Sequence, residues 1–231
     1  MTLILLLACS GEPGPTEVVV ETSPELPAEL PVPAFDYRGT GIPLVPDLTG
    51  FHAVLRDQKV SAAAARHAAE VEYKPDVMVQ KIAATRTGAE LGALFVEAGS
   101  GELPVMVARA QRIRAGLEAI NDEGPALQDA DSLIAWLKTD PPREELLAGM
   151  DTRTAVAIET LAEHAGDELV PLVLAGAWLQ AYDLLALAME ETGERAVGPR
   201  LLAQPAVGLY FKTYTASVGQ DFIPSGMLGP M

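Results

Sequence analysis

The chain has 231 residues, nearly half of them apolar (49%), so it can bury a real core and is not disordered throughout. With 16 basic residues against 32 acidic ones the net charge is -16, which repels phosphate backbones and anionic headgroups and excludes nucleic acid as a partner class. Aromatic residues are only 5% while Ala and Leu abound, so packed helices are expected rather than sheets.

Residues 1–8 read as a short signal peptide. The apolar run from Leu3 to Leu7 ends in Ala8, directly before Cys9, the only cysteine, and polar Ser10-Gly11-Glu12 follows. Leu6-Leu7-Ala8-Cys9 resembles the lipobox of bacterial lipoproteins. The resemblance implies a thiol that accepts a diacylglycerol, cleavage before Cys9 and acylation of the new amino terminus, so that two or three chains give stable membrane anchoring. The run is shorter than a full signal peptide and lacks a basic start, which suggests a true N-terminus upstream. Ser10 stands where enterobacterial lipoproteins retained at the inner membrane carry Asp, which favours an outer-membrane destination in the cell envelope.

Residues 9–46 hold eight prolines, from Pro13 to Pro46, and six acidic side chains against Arg38 alone. Such a stretch buries little and is expected to form an extended, disordered stalk, reaching up to roughly 100 Å at about 3.1 Å per residue.

From 47 to 194 a helical period takes over, and the expected fold class is all-α: a single bundle of about six helices. A short helix is expected from Asp47 toward Lys59, and an Ala-rich one capped by Ser61 and ending before Pro75. The first long helix runs from Asp76 to Ala98 and is stopped by Gly99-Ser100-Gly101. The next, Leu103 to Asn121, sets Met106, Ala110, Ile113, Leu117 and Ile120 on one apolar seam and leaves Arg109, Arg112, Arg114 and Glu118 off it. Asp122-Glu123-Gly124-Pro125 breaks the chain, and a shorter helix follows to Lys138. After the Asp140-Pro141-Pro142 break, Asp151-Thr152 is expected to cap a helix with Thr154, Ile158, Leu161 and Ala165 inward. The last long helix, Asp167 to Thr192, is apolar almost all round. Asp183 within it would cost about 2.5–3.5 kcal/mol near the centre of a membrane span, so a buried core helix is expected instead. Residues 195–231 read as a weakly packed tail.

Gly88 and Gly92 lie one turn apart in the first long helix and Gly176 lies in the last, each costing about 1 kcal/mol in helix propensity. Close backbone approach would offset that, and the two long helices are the expected core pair, with Phe95 and Trp178 at the ends. The later segment, Leu174-Ala175-Gly176-Ala177-Trp178-Leu179-Gln180-Ala181-Tyr182, together with the Gly-rich texture around Leu91-Gly92, resembles a family of uncharacterised all-helical lipoproteins found mainly in Bacteroidetes. The resemblance covers about residues 76–192. Ala177 replaces a Gly and Gln180 an acid, and the tail does not fit. The resemblance implies the fold and the anchor, and implies no activity.

Chemistry is sparse. His52, His67 and His164 lack zinc-ligand spacing, Gly99-Ser100-Gly101 is no nucleophile elbow, and Gly39-Thr40-Gly41 is no phosphate loop. No catalytic residue, metal or cofactor is expected. One candidate ligand site remains: Glu90, Gln180, Tyr182 and Asp183, if they face one another inside the bundle. Arg86, one turn before Glu90, is a local partner that would explain the carboxylate without function. Three readings of the domain stay open: a noncatalytic domain that binds another protein, the leading one; a small-molecule binding bundle; and an unrecognised envelope hydrolase.

Overall fold

The computed structural model describes residues 48–71, 73, 79–120, 124–164 and 169–194, with the side chains of Thr49, Gly50 and Ala162 left aside. The signal peptide, Cys9, the stalk, Ala165 and the tail from 195 lie outside the described residues. Among those described, a 3-10 turn, Leu48–Phe51, leads into seven helices and no strand: α1 His52–Leu55, α2 Gln58–Glu70, α3 Gln80–Ser100, α4 Leu103–Ile120, α5 Pro125–Leu137, α6 Arg143–His164 and α7 Val170–Thr192. The all-α bundle expected from composition and periodicity is the fold observed.

Local chemistry sets the ends. Asp57, in an extended conformation, accepts the backbone N–H groups of Lys59 and Val60 at 3.0 and 3.2 Å and so caps α2. The cap is therefore Asp57 rather than Ser61, which is buried inside α2 and bonds Ser100 Oγ at 2.9 Å. Pro125 opens α5 and Pro171 stands in the first turn of α7, where a missing N–H costs no helical bond. Gly193 closes α7 at φ 72, a left-handed conformation that glycine takes without strain, and donates its N–H to Met189 O at 3.0 Å.

The start of α6 differs from expectation. The helix begins at Arg143, immediately after Pro141-Pro142, with Glu144 and Glu145 in its first turn, where carboxylates complement the positive helix end. Asp151 and Thr152 are consequently mid-helix: Asp151 reaches His52 Nε2 at 3.2 Å, and Thr152 bonds the Ala148 carbonyl.

α3 and α7 form the core pair. A methyl group placed at Gly88 would fall on the Val173 carbonyl, one at Gly92 on the Ala177 carbonyl, and one at Gly176 on the Thr85 carbonyl. Glycine on both sides thus lets two backbones touch, as the mid-helix glycines imply. The first eight residues of α7, Val170 to Ala177, are all buried. α7 has the length and composition of a membrane span, yet α2 and α3 pack against it as against any core helix. Phe95 is fully buried and stacked on His52, while half-buried Trp178 stands between Phe51 and Tyr182.

Candidate functional site

The largest fully buried side chain among the described residues is an arginine. Arg109 of α4 lies where α2, α3 and α4 meet. Its Nε and Nη2 donate to Glu97 at 3.0 and 2.9 Å, its Nη1 donates to Glu90, and its Nη2 also donates to the Ala68 carbonyl at 2.5 Å. Arg112, three residues on, donates from Nε to Glu90 Oε1 at 2.9 Å. Two guanidinium groups and two carboxylates thus form a neutral cluster, with Glu90, Glu97 and Arg109 almost wholly closed to solvent. Burial pushes the Glu97 carboxyl above its ordinary value, against the opposing pull of the Arg109 hydrogen bonds and charge. The cluster is saturated with internal partners. It can hold three helices in register, but it presents no free acid or base.

The expectation that Arg109 lies off the apolar seam is corrected here. Arg109 follows Met106 by three residues and precedes Ile113 by four, so it stands on the buried side of α4. Its neutrality comes from carboxylates 12 and 19 residues away, on α3, and no local pattern reveals them. Glu90 likewise is held across helices by Arg109 and Arg112, where Arg86 was the partner expected within the helix.

The four candidate ligand residues are divided among different surroundings. Tyr73, between α2 and α3, donates its backbone N–H to Glu90 Oε1 at 3.2 Å and its phenol O–H to Gln180 Oε1 at 2.6 Å. One side chain therefore bridges Glu90 and Gln180. Burial first, then the negative charges of Glu90 and Asp183, raise the Tyr73 phenol above its ordinary value, which keeps it a donor. Tyr182 stacks on Trp178 with ring centroids 5.1 Å apart. Asp183 is exposed.

That exposure belongs to a stripe. Leu179 and Leu187 on α7 are 41% and 42% exposed, and Asp183 lies midway between them. Steps of four residues keep all three on one face. The histidines serve local contacts: His67 Nε2 lies 2.8 Å from Glu191 on α7, and His164 Nδ1 meets the Thr160 carbonyl at 2.9 Å.

A second feature was not singled out by sequence. Between α3, α4, α5, α6 and α7 lies a cavity of about 40 Å³, walled mainly by apolar side chains including Leu91, Ile113, Leu133, Ile158 and Leu161. Asp129 and Thr154 also line it, and Asp129 Oδ2 and Thr154 Oγ1 are buried without a hydrogen-bond partner. Arg153, at the same cavity, stands over the Trp136 ring with its guanidinium 4.3 Å from the centroid.

No protein-family profile, curated protein or solved structure matches this chain. The functional reading therefore rests on its own residues.

Proposed function

We propose that the chain is a bacterial envelope lipoprotein, anchored through acyl chains on Cys9 with the outer membrane favoured, whose noncatalytic helical domain binds another protein. The observation that carries the partner reading is the Leu179–Asp183–Leu187 stripe. Apolar side chains exposed at helical spacing on one face suit a partner helix laid alongside. Asp183 within the stripe and the chain's net charge of -16 favour a partner surface that pairs apolar residues with Lys or Arg. Saturation of the buried acid–arginine cluster by its own hydrogen bonds supports a structural role for it rather than catalysis. The lipobox-like residues and the proline-rich stretch after them support the anchor and its reach, in keeping with the resemblance to the helical lipoproteins of Bacteroidetes.

Two measurements test the reading. Cys9→Ser should move the protein out of the membrane fraction, and retention there would remove the anchor. A photo-crosslinking residue at Leu187, introduced into the full-length protein in cells, should capture a discrete protein that one at exposed Glu159 of α6 does not. Identical capture from both positions would remove the α7 stripe as the docking face.

A further inference from the structure

We infer that the cavity between α3, α4, α5, α6 and α7 is a binding site for a small primary amine carrying a short apolar or single-ring body. This goes beyond the protein-binding reading and does not depend on it.

The polar end of the site is set by what its two orphaned groups lack. Helical threonines here usually turn their hydroxyl onto the carbonyl four residues back: Thr85 bonds Lys81, Thr87 bonds Ala83, Thr152 bonds Ala148 and Thr192 bonds Ala188. Thr154 is only 8% exposed, yet its hydroxyl has no partner at all. Asp129 adds a buried carboxylate oxygen, likewise unpartnered, to the same wall. A buried acceptor left without a donor costs about 1–3 kcal/mol, more when it is charged, so this pair is complete only when something supplies hydrogen-bond donors. Arg153 supplies none to that Asp129 oxygen, and its guanidinium stands over Trp136.

A carboxylate beside a hydroxyl calls for a group with several N–H donors and a positive charge. A primary ammonium has three donors and meets both, whereas a carboxylate or phosphate head would meet Asp129 as a like charge. The remaining wall fixes the rest of the ligand. Leu91, Ile113, Leu133, Ile158 and Leu161 offer no hydrogen bonds, so the body must be apolar. One water needs about 10–15 Å³, so a cavity of about 40 Å³ also has room for two or three, but these apolar walls would leave them poorly bonded. Its size suits a short alkyl chain or one ring and excludes a nucleotide or a large cofactor.

The test uses the full chain with butylamine and benzylamine as probes, and butyric acid and benzyl alcohol as comparisons. Saturable methyl-NMR shifts at Leu91, Ile113, Leu133 and Ile158, together with a rise in Tm, are expected with the amines and are absent with the acid. Asp129→Asn and Thr154→Val should each weaken amine binding at least tenfold, and Thr154→Ser should restore it. Melting curves of the unliganded variants establish that they fold. If Asp129→Asn does not fold, the Thr154→Val and Thr154→Ser pair gives the same comparison. Equal binding of amine and alcohol, or amine binding unchanged by Thr154→Val, overturns the ammonium assignment. A crystal structure with ordered waters on Asp129 and Thr154 that butylamine does not displace overturns the site.

Discussion

Arg109 and Glu97 meet twice, Nε to Oε2 at 3.0 Å and Nη2 to Oε1 at 2.9 Å, with neither side chain open to solvent. Such a fork-to-fork pair fixes the relative rotation of α3 and α4 more tightly than apolar contact does, because both bonds fail together when either helix turns. Its net contribution to stability is a separate matter. Taking both ions out of water offsets much of their attraction, whereas removing one ion strands the others.

Arg109→Met should therefore destabilise the protein by about 3–5 kcal/mol, since it leaves Glu97 unpaired and Glu90 with Arg112 alone. The double variant Arg109→Met, Glu97→Met should lose much less than the two single losses added together, because no buried ion of that pair is left behind. Urea unfolding of the four proteins forms a double-mutant cycle, and additive losses would show that the two groups do not act as a unit.

The same pair makes stability depend on pH in an unusual direction. Burial raises the folded-state value of Glu97 above its ordinary 4.5, so between the two values the folded protein holds the proton more firmly than the unfolded chain. Stability from this group falls as pH rises through that window. Glu191 acts with the opposite sign: the hydrogen bond from Arg66 leads the effects that lower it, and its contribution is lost only as pH falls below 4.5 through the folded value. In Glu97→Gln the decline above pH 4.5 should disappear while the loss at lower pH remains. Urea midpoints measured across both windows give the two slopes separately.

The helical pairing was legible in sequence where the signal was a local cost. Gly88, Gly92 and Gly176 each weaken their own helix, and only a close neighbour repays that, so the α3–α7 contact was implied before any coordinates. Helix breaks at Pro125 and at Pro141-Pro142 were legible for the same reason, although Asp151-Thr152 imitated a cap inside a continuing helix. The buried arginine cluster was not legible as a cluster. Periodicity places Arg on the wet side by default, and the partners that permit its burial are joined by the fold rather than by spacing. The unpartnered state of Asp129 and Thr154 is still harder to foresee, since it is a property of what five helices leave unfilled.

Gly88→Ala puts this backbone contact under load. Its methyl group meets the carbonyl of Val173, part of a helix backbone that cannot step aside without moving the rest of α7. The gain in helix propensity is about 1 kcal/mol, and the overpacking cost of about 1–3 kcal/mol or more should exceed it. Gly149→Ala is the matched comparison: its methyl group meets the ring of Trp136, a side chain that can swing. Thermal melts should place Gly88→Ala below the native protein and Gly149→Ala above Gly88→Ala; the reverse order would mean that α3 and α7 separate easily.

Tyr73 ties the segment after α2 to both long helices, and its two bonds can be tested apart. Tyr73→Phe keeps the backbone N–H on Glu90 and removes only the phenol donor to Gln180, so it should cost about 0.5–1.5 kcal/mol. Gln180→Ala should cost a similar amount, and the double variant should cost little more than either, because the same bond is lost in all three. If the phenol bond also fastens the segment, Tyr73→Phe should speed amide hydrogen exchange at Tyr73 itself, whose N–H is held by Glu90, while the amides of α3 exchange as before. Unchanged exchange at Tyr73 would assign the fastening to the buried Glu90 carboxylate, held in turn by Arg109 and Arg112, and would leave the phenol as a surface contact of α7.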